Sequence, residues 1–136
     1  MPRCPKCNIP LCRLEIGGIP VHSCPDCGGE FVEEMRLKGI ERRADPSWTE
    51  ERKDELCRLA DQSNDLVSVL CPRCSRVMRK SLFRGYAHLQ LDQCPECRSY
   101  WLDRGELEKM QILFQETQER YREEEGGGRR TADGKG

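Results

Sequence analysis

The sequence predicts a small metal-bound α+β protein made of two tandem copies of one unit, and three observations carry that reading. Ten of the 136 residues are cysteine, and eight of these fall in four Cys-Pro-x-Cys turns. Hydrophobic residues are 36% and aromatics 6%, too few to build a doubly wound sheet or a barrel around one large core. The turns come in two pairs at similar intervals, so the chain repeats itself.

The first pair is Cys4-Pro5-Lys6-Cys7 with Cys24-Pro25-Asp26-Cys27. The second is Cys71-Pro72-Arg73-Cys74 with Cys94-Pro95-Glu96-Cys97. After the last turn of each pair, Phe31-Val32-Glu33 aligns with Trp101-Leu102-Asp103, Leu37 with Leu107, and Ile40 with Met110. In the first unit, extended segments Cys12–Ile16 and Pro20–Ser23 flank Gly17-Gly18, a hairpin signature. In the second, Val77–Phe83 and Tyr86–Gln93 flank Arg84-Gly85, and Leu89 and Leu91 alternate with His88, Gln90 and Asp92 as in a half-buried strand. After each second turn the pattern becomes helical. Asp103 with Glu106 three residues on resembles a capping box, and Leu107, Met110, Phe114 and Tyr121 recur at helical spacing to about Glu125. Between the units, Asp45 before Pro46 predicts a helix from Pro46 to about Gln62, with Leu56, Leu59 and Ala60 on one side. The expected organisation is unit one with a short helix over 1–44, a helical connector over 45–66, unit two with its helix over 67–125, and a disordered tail over 126–136.

A Cys-x-x-Cys bend puts two sulfurs on one side of a tight turn. Two bends held by a hairpin present four sulfurs tetrahedrally at about 2.3 Å from a zinc ion. Proline after the first cysteine fixes φ. The residue after the second needs positive φ, which suits Asn8 and Gly28 better than Ser75 and Arg98. The expectation is two Cys4 zinc ribbons, short β-hairpins with zinc knuckles, holding two Zn2+ per chain. The ligands are Cys4, Cys7, Cys24 and Cys27 on one ion and Cys71, Cys74, Cys94 and Cys97 on the other. Iron in a rubredoxin-like site is the competing occupant, and a disulfide framework the other alternative. The start of the chain lacks an apolar signal-type stretch and no apolar run approaches membrane length, so a reducing cytoplasmic setting is expected. Cys12 and Cys57 remain over, and are expected to be small core residues.

Four thiolates leave no open metal position, and no Ser-His-Asp set or phosphate loop is present, so no enzymatic activity and no small-molecule substrate are expected. His22 and His88 fall outside the knuckles. Net charge is −1, but it is unevenly spread: residues 41–66 carry −3, 67–98 carry +4 and 103–136 carry −2. Two functional classes follow. One is a protein-interaction module that presents the Leu107, Met110, Phe114 and Tyr121 stripe to a partner. The other is nucleic-acid contact through Arg76, Arg79, Lys80 and Arg84 on the second hairpin, with Tyr86 as a stacking residue.

Unit two resembles the zinc-ribbon family named after transcription factor IIB. The resemblance rests on its two knuckles and on Tyr100-Trp101-Leu102-Asp103-Arg104-Gly105-Glu106-Leu107-Glu108-Lys109-Met110. Arg98-Ser99 stands where the family has two glycines. Unit one keeps Gly28-Gly29 but replaces the Leu-Asp-Arg-Gly-Glu-Leu run with Val32-Glu33-Glu34-Met35-Arg36-Leu37. The resemblance implies small, mostly prokaryotic proteins with a zinc ribbon followed by a short helix and the knuckle cysteines as ligands. It implies no particular catalytic role.

Overall fold

A computed structural model describes residues 2–64, 67–86 and 89–127. His88 and residues 128–136, most of the expected tail, lie outside these described residues.

Each unit builds three strands, one more than its hairpin. Unit one contributes β1 (Cys12–Ile16), β2 (Ile19–Ser23) and β3 (Glu30–Val32). Unit two contributes β4 (Arg79–Leu82), β5 (Gln90–Gln93) and β6 (Tyr100–Leu102). The second hairpin is shorter than its apolar pattern suggests, because Phe83–Gly85 coils into a 3-10 turn in which Arg84 takes φ of 53°. The third strands arise from the three residues behind each second knuckle, where the sequence pattern had pointed to helix alone.

Those third strands join the units. All six strands form one antiparallel sheet in the order β1-β2-β3-β6-β5-β4. Across the joint, Phe31 pairs with Trp101, Glu30 with Leu102 and Val32 with Tyr100. Phe31 and Trp101 are equivalent positions of the repeat, so the joint is a pseudo-dyad with an aromatic pair on its axis.

Period-2 alternation then sorts side chains to two faces. One face carries Phe31 and Trp101 and packs against the knuckles; its core holds Cys4, Leu11, Cys24, Val69, Cys71, Met78 and Cys94. The other carries Val21, Val32, Leu91 and Leu102, and is covered by Leu37 and Ile40 of α1 (Glu34–Glu41) and by Leu107 and Met110 of α3 (Glu106–Gly127). Neither core is confined to one unit.

The connector helix α2 (Glu50–Ser63) lies against α3. It starts four residues later than Asp45-Pro46 implies. Asp45 Oδ1 instead accepts from the Ser47 N–H at 2.9 Å and hydroxyl at 2.7 Å, closing a turn ahead of the helix. Thr49 is the cap, its Oγ1 accepting from the Arg52 N–H at 3.0 Å. α2 packs directly over Gly105, where a Cβ would come within 2.7 Å of the Ala60 nitrogen. With φ of 88°, that glycine answers both a backbone and a packing demand.

Candidate metal centres

The four knuckles are the same backbone object. In each, the first cysteine N–H donates to the carbonyl five residues on, at 2.8–2.9 Å, and its own carbonyl accepts from the N–H four residues on, at 2.8–3.0 Å. In each, the residue after the second cysteine has positive φ: Asn8 58°, Gly28 77°, Ser75 61° and Arg98 68°. The knuckle geometry therefore overrides residue preference at Ser75 and Arg98, at a cost of about 1–2 kcal/mol apiece.

Cys4, Cys7, Cys24 and Cys27 bring their sulfurs within 4.8 Å of one another, and so do Cys71, Cys74, Cys94 and Cys97. Cys4 Sγ lies 3.7 Å from Cys27 Sγ, and Cys71 Sγ lies 3.7 Å from Cys97 Sγ. Sulfurs held tetrahedrally at 2.3 Å from zinc stand about 3.8 Å apart, whereas a disulfide needs about 2.05 Å. The spacing fits a metal ion and excludes a disulfide in this state. Backbone N–H groups are aimed at the sulfurs: Cys7 donates to Cys4 Sγ at 3.2 Å, Cys74 to Cys71 Sγ at 3.4 Å and Glu96 to Cys94 Sγ at 3.3 Å. These donors stabilise thiolate charge.

The thiols divide in acidity. Burial resists ionisation at Cys24, but the Cys27 and Asp26 N–H groups and neighbouring thiols bring it down to about 7. At Cys97 burial is likewise outweighed, by the Ser99 hydroxyl and N–H, and the thiol also falls to about 7. Burial and shared thiol hydrogen bonds push Cys27 up to about 11 and Cys74 up to about 12. Zinc binds the thiolate form, so filling either cluster releases protons. Cys12 and Cys57 belong to neither cluster. Cys12 is exposed on β1 and Cys57 half-buried on α2, so Cys12 is not the core residue expected.

Much of unit two's hallmark run holds the units together. Lys6 Nζ of the first knuckle meets Asp103 Oδ1 at 2.7 Å, and Trp101 Nε1 donates to the same oxygen at 3.2 Å. Asp103 is therefore turned to the joint, while the return half of the capping box is kept: Glu106 Oε1 accepts from the Asp103 N–H at 2.7 Å. Burial raises Glu106 to about 8, with Asp103 and Asp92 adding to the effect. A Cβ on Gly28 would sit 3.1 Å from Arg104 Cγ, and one on Gly29 only 2.3 Å from the Trp101 ring. The Gly28-Gly29 pair is the seat for unit two's tryptophan and arginine. The sequence signals of these roles were the double glycine and the Asp-Arg-Gly-Glu run; their targets lie in the other unit and gave no local sign.

The basic hairpin is largely engaged. Lys80 Nζ pairs with buried Asp92 at 3.1 Å. Arg84 grips buried Glu41 of α1 through Nε at 3.1 Å and Nη2 at 2.6 Å. Arg76 lies 3.3 Å from Glu96 on the surface. Tyr86 is half-buried, its ring 6.5 Å from Phe83, at the margin of the helix-side core rather than free at the tip. Arg79 is exposed on β4. Arg73 and Arg98 reach Glu33 and Glu34 across the joint, at 3.5 and 3.4 Å. Of the helix stripe, Leu107 and Met110 are buried in the protein's own core. Phe114 is half-buried under the Arg42 guanidinium, 5.8 Å from its ring centre, and Tyr121 is exposed. Half of that stripe is thus internal packing, not a surface for a partner.

A sheet-joined pair of Cys4 zinc ribbons is the class of protein this architecture defines. The model of the transcription factor zinc-finger family matches residues 3–42 and 70–111, together more than half of the chain. The chain belongs to that family, in two tandem copies, and its two cysteine clusters are zinc-binding sites of the zinc-ribbon type. Neither a curated protein nor a solved structure matches it. No helix among the described residues is long and apolar enough to cross a membrane.

Proposed function

We propose that this is a non-catalytic interaction protein, in which two structural zinc ions hold a rigid six-stranded platform for a protein partner. Closed four-thiolate centres support the non-catalytic part, since catalytic zinc keeps a position for water or substrate. One observation carries the choice of partner class: two of the four cations that would mark a nucleic-acid surface are paired with buried carboxylates, Lys80 with Asp92 and Arg84 with Glu41, while large apolar side chains stay exposed. Leu70 and Val77, paired at the entry of unit two, are 52% and 58% exposed, and Met35 of α1 is 88% exposed.

The second reading, nucleic-acid contact, rests on exposed Arg79 beside the weakly paired Arg76. Binding of full-length, zinc-loaded protein to single- and double-stranded nucleic acid across a salt series separates the two. The interaction reading expects no binding at low salt, and capture of a protein from nuclease-treated extract that resists salt and is lost on chelation. Binding that falls steeply with salt and disappears in Arg76→Glu/Arg79→Glu would replace it with the second reading.

A further inference from the structure

We propose that two copies of this chain associate edge to edge through β1, joining their sheets into one of twelve strands. The β1–β2 hairpin closes on Ile16 and Ile19 around the two-residue turn Gly17-Gly18. In such a hairpin the closing pair is hydrogen-bonded and the pairs then alternate, so Glu15–Pro20 and Arg13–His22 are the wide pairs. Pro20, which has no N–H, is tolerated opposite Glu15 for that reason. The N–H and C=O groups of Arg13 and Glu15 consequently point away from β2, towards the free edge of the sheet.

The strand is complementary to itself. Laid antiparallel on a second copy about Leu14, Arg13 comes opposite Glu15 and Glu15 opposite Arg13, and these are the residues whose backbone groups face outward. Four inter-chain backbone hydrogen bonds and two cross-strand ion pairs follow from one register. Within one chain Arg13 Nη2 already lies 3.6 Å from Glu15 Oε2, so the paired strands would carry a ladder of alternating charge. On the opposite face Leu14, 49% exposed on an edge strand, would meet its own copy, and exposed Cys12 would meet Ile16.

The other edge of the sheet behaves differently. β4 reads Arg79-Lys80-Ser81-Leu82, and pairing it with itself gathers four cations, a common way of blocking edge association. The chain also already joins two three-stranded units about a pseudo-dyad at β3 and β6, and pairing at β1 repeats that device between molecules.

Sedimentation velocity on full-length, zinc-loaded protein from about 1 µM to about 500 µM tests this, because an interface of one strand pair is small and predicts micromolar association. Arg13→Glu and Glu15→Arg each place like charges opposite twice, and each is expected to weaken self-association at least ~10-fold. Mixing the two variants restores it as a heterodimer, and the double exchange Arg13→Glu/Glu15→Arg restores it in one chain. These side chains are exposed, so each variant keeps two zinc equivalents, which metal analysis verifies. A wild-type protein that stays monomeric over the whole range overturns the proposal. So does a dimer of equal strength in all four proteins.

Discussion

The two units share their knuckle hydrogen bonds and their layout of three strands and a helix, and differ in the residues that meet at the joint and in the length of that helix. Unit one has Gly28-Gly29 and Phe31; unit two has Arg98-Ser99 and Trp101. The pseudo-dyad relates Gly29 with Trp101 to Ser99 with Phe31. The larger ring thus goes with the residue that lacks a Cβ, and the smaller ring with the residue that has one. Unit one closes with a helix of 8 residues and unit two with one of 22. Divergence of this kind teaches that the copies no longer fit themselves. Each has been shaped to the other, as the subunits of an obligate heterodimer are.

The sharpest way to break the comparison is to remove metal. Both clusters line one core with Phe31 and Trp101, so stripping zinc should unfold both units together, leaving residual helix. Structural zinc contributes roughly 10 kcal/mol or more to such sites. Metal analysis should find two zinc ions per chain, and Cys24→Ser should disturb NMR signals of unit two as well as of unit one. Signals of unit two that survive Cys24→Ser unchanged would show two independent ribbons.

Next in size is Gly29→Ala, which drives a Cβ into the Trp101 ring and should cost about 3 kcal/mol in chemical denaturation. Ser99→Ala, its counterpart across the dyad, adds no atom and removes only the buried hydroxyl that bonds Cys97, and should cost less, about 1–2 kcal/mol. Arg84→Met leaves Glu41, 1% exposed, without its arginine, and should cost about 2–3 kcal/mol.

Glu30 sharpens the comparison through pH. It is buried, and that burial, with Glu108 nearby, raises its carboxyl from 4.5 to about 8. The folded state therefore holds a proton that the unfolded state has lost, and this group's contribution declines as pH rises from about 4.5 to 8. Glu30→Gln should match wild type near pH 5 and exceed it by on the order of 2 kcal/mol at pH 8. The smallest effect belongs to Ser75→Gly, which relieves a positive φ but adds the chain entropy of glycine, and should stabilise by a net of about 0.5–1 kcal/mol, where Gly28 has nothing to gain.

What the sequence disclosed follows the range of the interactions. Knuckles and the first hairpin depend on residues a few positions apart, and Cys-Pro-x-Cys and Gly-Gly announce them. β3 and β6 are three residues long, too short for alternation to register. Their only trace was the matched aromatic-aliphatic pair, Phe31-Val32 and Trp101-Leu102. The basic hairpin misled for a related reason. Its run of cations is visible in the sequence, but Glu41, which holds Arg84, lies 43 positions away. Cys12 was expected inside because free cysteine is often buried, yet β1 is an edge strand of the sheet.

The joint between Phe31 and Trp101 has a consequence for the order of assembly. Seventy positions separate the paired residues, whereas each zinc knuckle closes over a handful. Loop-closure entropy grows with the length of chain enclosed, and non-local pairing slows folding. A newly made chain therefore forms its knuckles and hairpins early and its central strand pair late. During that interval β3 and β6 are both unpaired edges, each offering its hydrogen bonds to whichever matching strand arrives first. The connector then acts as a tether: by keeping the correct strand at high local concentration, it favours joining within the chain over exchange between chains.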